Sequence, residues 1–314
     1  FHPVDRNGFN WDTNFQISFN QNKLVALDGS SNAALIGYGQ WSDVVSTTHI
    51  GEPLYGFYGY VVEGVYTDID DIMNSPRAEK YPADGVFDRN TTVWVGDLKF
   101  KDVNGDGKID ENDRTNIGSP LPLFTFGWQN TFRYKNFDLG IFLNGSVGNK
   151  VLNYTLLGQG FNGLVHMNSA WTNQHKSIAD RAVLTPIDAS KPYPTVYQGK
   201  TIYNWYDDPT NVTVKNKGTK TPRPTIADPN DNDRLSTRYV EDGSYLRIKN
   251  ISLGYTIPKK ASQKIHMDNI RFFINGNNLF CIDGVKIVDP ETENMDVSRY
   301  PSQLITSVGL QVTF

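Results

Sequence analysis

Twelve consecutive residues carry the clearest chemistry in the sequence. Asp102, Asn104, Asp106, Asp110 and Asp113 place side-chain oxygens at positions 1, 3, 5, 9 and 12 of one short run. Gly107 stands at position 6, where the backbone must turn sharply, and the carbonyl of Lys108 falls at position 7. This is the spacing of an EF-hand-type calcium loop. A hard cation of that size takes about six to eight oxygens, and alternate residues of a tight loop supply them. Asp113 is shorter than the glutamate usual at position 12, which reduces bidentate reach. The expectation is one structural calcium ion held by Asp102, Asn104, Asp106, Lys108 (through its carbonyl), Asp110 and Asp113. Magnesium, which demands a tighter octahedron, suits the run less well. The plain alternative is a solvated turn rich in Asp, Asn and Gly.

Other residues capable of chemistry are less well placed. Gly158-Gln-Gly160-Phe-Asn-Gly163 matches GxGxxG, with Asp180 near the distance of a ribose-binding acid. A dinucleotide site needs that motif between a buried strand and a strong helix, and neither pattern flanks it. The histidines at 2, 49, 166, 175 and 266 show no zinc spacing. There is no GxSxG elbow, and the single cysteine, Cys281, has no catalytic context. Acidic residues are plentiful, but no pair is singled out for glycoside hydrolysis. Trp171, Tyr203, Trp205 and Tyr206 could stack on sugar rings or anchor the packing of their own segment. The sequence nominates no catalytic residue.

The elements around these residues are strands. No helix pattern flanks the cation-type run. From Leu123 to Tyr134, Phe124, Phe126, Trp128, Phe132 and Tyr134 share one parity, against Thr125, Gly127, Gln129, Thr131 and Arg133. After a turn near Lys135-Asn136, Phe137, Leu139, Ile141, Leu143 and Val147 alternate with Asp138, Gly140, Asn144 and Ser146. Such alternation across a two-residue turn predicts a long hairpin. Phe9 to Phe19 repeats the pattern. Tyr239 to Pro258 changes phase, which predicts a bulge near Lys249-Asn250. Further strands are expected from Ile270 to Phe280 and from Gln303 to Phe314, and an irregular one from Thr47 to Tyr66. A helical patch is possible near Leu164 to Trp171. Residues 67–121 and 148–238 read as long polar excursions. About seven strands result, with short and long connections mostly alternating, as at the two rims of an outer-membrane barrel. Phe126, Trp128 and Phe132 are expected to face lipid, with Gln129 and Thr131 toward the lumen.

Composition agrees with a barrel and excludes other classes. In 314 residues, the net charge of -4 gives no nucleic-acid footprint. No apolar run is long enough for a membrane-crossing helix, but barrel strands hide half their residues from lipid and leave a weak hydropathy signal. Aromatic residues reach 12% in a polar chain, which favours a barrel over a generic soluble domain.

Several motifs together resemble the SusC/RagA-type TonB-dependent outer-membrane transporters. They are Gly51-Glu-Pro-Leu-Tyr-Gly-Phe-Tyr-Gly-Tyr60, Gly96-Asp-Leu-Lys-Phe-Lys-Asp-Val-Asn-Gly-Asp-Gly-Lys-Ile-Asp110 and Ile117-Gly-Ser-Pro-Leu-Pro-Leu-Phe124. Tyr134-Lys-Asn-Phe-Asp-Leu139, Asp242-Gly-Ser-Tyr-Leu-Arg-Ile-Lys-Asn-Ile-Ser-Leu-Gly-Tyr255, Asn275-Gly-Asn-Asn-Leu-Phe280 and the terminal Phe314 complete the set, in the family's order. The resemblance implies an all-β chain, the carboxy-terminal portion (residues 1–314) of a 22-stranded transmembrane barrel in the bacterial outer membrane. It further implies TonB-driven import of oligosaccharides or peptides, a SusD-like surface lipoprotein as partner, and a plug and earlier strands supplied from elsewhere. Two rival expectations stand beside it: a secreted β-rich calcium-binding module for carbohydrate binding or adhesion, and a carbohydrate-active enzyme.

Because hydrocarbon offers no partner to an unpaired backbone group, so few strands cannot close a membrane wall alone. The strand near Phe9–Phe19 and the one ending at Phe314 are therefore expected to pair with segments outside this sequence.

Overall fold

The computed structural model describes residues 4–6, 8–27, 34–39, 44–157, 176–225, 227–285, 289–291 and 302–314. The chain divides into two compact units. One comprises residues 1–23, 119–151 and 241–314; the other comprises residues 24–118 and 152–240.

The first unit is a single antiparallel sheet. Its strands are β1 (Val4–Arg6), β2 (Phe9–Ser18), β3 (Phe124–Tyr134), β4 (Phe137–Val147), β5 (Tyr245–Thr256), β6 (Asn269–Asp283) and β7 (Ile305–Thr313), and they lie side by side in that order. Six are long, between 9 and 15 residues, and β1 is a three-residue return on the end of β2. The turn joining β3 and β4 puts Lys135 in the left-handed region, at φ 53°. Asn136 ties that turn to the next strand by donating from Nδ2 to the Thr256 carbonyl at 2.7 Å. The bulge expected near Lys249-Asn250 is present, as a register shift between Ile248 and Asn250.

Register converts the alternation of each strand into rows across the sheet. Phe9, Tyr134, Phe137, Tyr255 and Phe272 form one row, ending on Leu310. The next apolar row is Trp11, Phe132, Leu139, Leu253, Ile274 and Val308. Much of this face is bare: Phe15, Ile274, Leu310 and Val308 are 57%, 55%, 57% and 79% exposed. A contiguous apolar surface of this kind exceeds what a soluble monomer leaves in water, and it suits hydrocarbon. Thr13 and Asn130 interrupt it near mid-strand. Asn130 is buried and its Oδ1 accepts from Trp11 Nε1 at 3.1 Å and Thr13 Oγ1 at 2.9 Å. Trp128 Nε1 in turn donates to Thr13 Oγ1 at 2.9 Å. Two indoles thus satisfy the polar pair and cover it with ring.

The opposite face carries charge. Arg133 meets Asp12 at 2.7 Å, Arg271 meets Asp138 at 2.5 Å, and Lys249 meets Glu291 at 2.7 Å. Gly254 makes room for the Asp138–Arg271 pair, since a Cβ there would lie 2.4 Å from Asp138 Oδ1. Gly309 similarly lies under the ring of Phe273, 2.1 Å from where a Cβ would stand.

The second unit corrects one expectation. Thr47 to Tyr66 is not a wall strand. Val44–His49 and Phe57–Gly59 pair within a small sheet with Ala34–Tyr38 and Thr115–Gly118. The aromatics there fall on both parities because both sides are covered: Phe57 and Tyr60 are buried in this unit. Residues from the two long polar excursions share a core. Tyr66, Ile72, Val93, Trp94, Val95, Leu98, Ile109, Val212 and Val214 pack together, with Trp205 against them. The helical patch near Leu164–Trp171 lies outside the described residues.

A buried polar network crosses this core. Asp97 is fully buried and accepts from Trp94 N–H at 2.8 Å. Arg223 Nε lies 2.7 Å from Asp97 Oδ1, at an angle unsuited to a hydrogen bond, and Nη2 reaches Oδ2 at 3.3 Å. Asn232 Nδ2 donates to both Asp97 Oδ1 at 3.3 Å and Asp228 Oδ1 at 2.5 Å, while its Oδ1 accepts from Leu98 N–H at 2.6 Å. Burial pushes the Asp97 carboxyl above the ordinary range, with Arg223 opposing. Burial also lifts Asp228 to about 6, with hydrogen bonds from Asn232 opposing and the charges of Asp233 and Asp97 adding to the rise.

Two outcomes are expected. Ile251 and Ser252 are neighbours on opposite faces of β5. In the whole receptor, Ile251→Arg should cost about 2–4 kcal/mol at bilayer depth and reduce the yield of heat-modifiable barrel, whereas Ser252→Arg should be tolerated. Equal tolerance would contradict the two-faced wall. The second concerns pH. Asp228 holds its proton more tightly folded than unfolded, so its stabilising contribution is full below about pH 4 and is lost as pH rises through about 6. The loss is on the order of 3 kcal/mol. Amide exchange across residues 228–233 should therefore quicken over that interval, and Asp228→Asn should weaken the dependence, leaving the part that Asp97 contributes.

Candidate functional site

The cation-type run folds on itself through its own side chains. Asp102 accepts from Gly105 N–H at 2.6 Å and from Gly107 N–H at 2.8 Å. Asn104 Oδ1 accepts from Asp106 N–H at 3.0 Å, and Asp106 Oδ1 from Lys108 N–H at 2.9 Å. Gly107, at φ 82°, makes the turn that position 6 requires. Asp110 caps a short 3₁₀ turn over Glu111–Asp113, accepting from Asn112 N–H at 2.8 Å. Asp113 is fully buried, and its two oxygens accept from Val103 N–H and Asp110 N–H, both at 2.8 Å. The short side chain at position 12 thus fastens the two ends of the run to each other.

A backbone bridge ties the loop to the unit's core. Arg77 N–H donates to the Gly107 carbonyl and Ile109 N–H donates to the Arg77 carbonyl, each at 2.9 Å. Ile109 is buried in the hydrophobic cluster. The bridge leaves the Lys108 carbonyl out of the pairing. Beside it lies a cavity of about 400 Å³ lined by Arg77, Tyr81, Pro82, Lys108 and Asp110. The Arg77 guanidinium sits 5.5 Å from the centre of the Tyr81 ring.

The oxygen donors are therefore on one loop and in the order a calcium ion requires. Each carboxylate oxygen engaged by a backbone N–H keeps lone pairs in reserve, so a donor set of carboxylates, a carboxamide and a carbonyl is chemically suited to a hard cation. Asp102, Asn104, Asp106 and Lys108 remain accessible at the surface, whereas Asp113 is enclosed. Among the described residues no three His, Cys, Asp or Glu side chains stand together as a metal-holding group. The carboxylates are turned toward the loop's own amides.

Other nominated residues have resolved fates. The GxGxxG run at 158–163, Trp171, and the histidines at 2, 166 and 175 lie outside the described residues. His49 pairs with Glu52 at 3.1 Å, and His266 occupies a left-handed position after a short helical turn. Trp205 packs against the hydrophobic cluster and meets Tyr206 edge-on at 5.6 Å. The Arg89 guanidinium covers the Tyr206 ring at 4.6 Å, while Tyr203 is 72% exposed. Trp205 and Tyr206 thus anchor their own segment. The Asp97–Arg223–Asn232–Asp228 network had a sequence signal in Asp228-Pro-Asn-Asp-Asn-Asp233, where Asp228, Asn230 and Asn232 alternate and are all buried.

No protein-family model matches the chain. Individual relatives do. It is 30% identical over 335 residues to TonB-dependent receptor P3 of Formosa agariphila, covering 99% of this chain and 27% of that protein. It is 22% identical to the TonB-dependent receptor SusC of Bacteroides thetaiotaomicron, over 99% of this chain and 25% of that one. The chain thus spans about a quarter of the length of the curated relatives it matches. Among solved structures, the RagAB peptide transporter aligns over all of this chain and 28% of its own, at a TM-score of 0.64 and 17% identity. TonB-dependent receptors are outer-membrane β-barrels. By sequence and by fold, the chain belongs to the SusC/RagA-type TonB-dependent receptors, as a segment of their barrel.

Proposed function

We propose that this chain forms part of the wall and the outer face of a receptor that imports nutrient oligomers, oligosaccharides or peptides, across the outer membrane. The observation that carries the reading is the sheet of six long strands with one bare apolar face and one charged face. Its long connections leave from the Ser18, Phe124, Val147 and Tyr245 ends, and its two-residue turn lies at the other end. In a bacterial barrel the long loops face outward and the short turns face the periplasm. The mechanism is gated passage and not bond chemistry. The wall excludes lipid, the compact unit of residues 24–118 and 152–240 contributes to the substrate-binding face, and energy comes through TonB by way of a plug supplied by other segments of the receptor. A SusD-like surface lipoprotein completes the assembly. The relatives' names support this: one solved neighbour is a peptide importer, and a curated relative is SusC.

Calcium belongs to the same proposal. One ion at Asp102, Asn104, Asp106, Asp110, Asp113 and the Lys108 carbonyl would stiffen the loop and the cavity wall that Lys108 and Asp110 share with it. Its role would be structural, the ion supplying fixed positive charge between the carboxylates.

For transport, cells carrying the intact receptor should accumulate a labelled oligosaccharide or peptide that cells lacking it do not, and the uptake should vanish without TonB. Uptake independent of TonB would contradict the reading. For the cation, hydrogen exchange across residues 102–113 of the purified receptor should slow in millimolar calcium and quicken with chelator. The substitution Asp106→Ala should remove that response while leaving the wall strands protected. Exchange indifferent to calcium would exclude the ion.

A further inference from the structure

The short-turn end of the sheet carries a concentration of unpaired positive charge. Lys135 occupies the turn between β3 and β4. Lys259, Lys260 and Lys264 lie in the connection between β5 and β6, on a short helix, Lys259–Ser262, and the 3₁₀ turn Gln263–Ile265 that follows. All four are exposed, and among the described residues none of them makes an ion pair. The same connection holds one carboxylate, Asp268. It also holds Ile265, an aliphatic side chain left 56% exposed beside the lysines.

Directly next to this charge is the aromatic row of the apolar face. Phe9, Tyr134, Phe137, Tyr255 and Phe272 stand at the strand ends nearest the short turns. Phe137 and Tyr255 pack at 4.7 Å, and the Lys135 ammonium lies 5.1 Å from the centre of the Tyr134 ring. Aromatic rings of this kind settle at the boundary between hydrocarbon and headgroups. Cations just beyond that boundary stand at headgroup height. Long lysine stems can lie along the apolar surface while the ammonium reaches the polar layer.

Resting on the barrel reading above, we infer that this basic rim binds the headgroups of anionic phospholipids in the leaflet facing the short turns, which is the periplasmic one. Charge complementarity selects the occupant. With Asp138 already paired to Arg271, four lysines against Asp268 favour a phosphate with net negative charge over a zwitterionic headgroup, and the adjoining aromatic row requires a partner that continues into acyl chain. A soluble acidic protein would satisfy the lysines and leave Ile265 beside them without a partner.

The test uses the whole receptor in neutral detergent, titrated with phosphatidylglycerol and separately with phosphatidylcholine, with bound lipid counted by native mass spectrometry. A triple variant, Lys259→Gln, Lys260→Gln and Lys264→Gln, is checked for folding by heat-modifiable mobility. At low ionic strength its affinity for phosphatidylglycerol should fall roughly fivefold per lysine removed. Its affinity for phosphatidylcholine should stay unchanged. A control variant with glutamine at the exposed positions Lys215, Lys217 and Lys220 of the other unit should bind both lipids as the unaltered receptor does. Equal phosphatidylglycerol affinity in rim variant and control would overturn the inference. Loss of both lipids together would overturn the barrel reading beneath it. If the triple variant does not fold, the unaltered receptor decides: phosphatidylglycerol retention must weaken as salt is raised, and retention indifferent to salt overturns the inference.

Discussion

Backbone hydrogen bonding without water is the constraint on which the wall depends. In hydrocarbon an unpaired N–H or C=O finds no substitute partner, so every strand must be paired along both edges. The sheet meets this in its interior, where β2 to β7 pair in unbroken antiparallel succession. It does not meet it at its margins. Among the described residues, β1 pairs only with Phe9 to Trp11 of its neighbour, and β7 pairs only with β6. In a closed barrel, further strands would pair at these margins. That the chain spans about a quarter of its relatives' length agrees with this geometry.

The two faces follow from the same strands. A period of two puts alternate residues on opposite sides, so one set can meet lipid while the other carries Arg133, Asp138, Arg247 and Arg271. The bulge at Lys249-Asn250 matters for this reason. Without it, the residues beyond would present their apolar set to the charged side. Thr13 and Asn130 show how a polar pair survives on the apolar face: Trp11 and Trp128 donate their indole N–H groups and screen the pair.

The wall was legible in the sequence because alternation is a local signal. The hairpin Phe124–Val147, its turn at Lys135-Asn136, the phase change and the last strand all stand where their residues put them. The second unit was not legible, for a physical reason. Its core is assembled from short pieces such as Val62–Val65, Leu98–Phe100 and Val212–Val214, too brief to show a period. What joins them is non-local: Asn232 reaches Leu98 and Arg223 reaches Asp97, across more than a hundred residues. The Thr47–Tyr66 stretch carries aromatics on both parities, and the burial of Phe57 and Tyr60 within the second unit accounts for that. The cation-type run was legible as a loop. Its spacing did not reveal that Asp113 would turn inward to hold Val103 and Asp110.

The central claim is that one parity of these strands faces lipid and the other an aqueous lumen. Spin-label scanning of β4 in the whole receptor, reconstituted in a bilayer with Cys281→Ser to remove the native thiol, tests it most directly. Labels at 137, 139, 141 and 143 should collide preferentially with dissolved oxygen, and labels at 138, 140 and 144 with a water-soluble nickel chelate. The account requires that alternation along the strand. Labels at 139 and 141 shielded from both reagents, as in the core of a soluble sandwich, would contradict it.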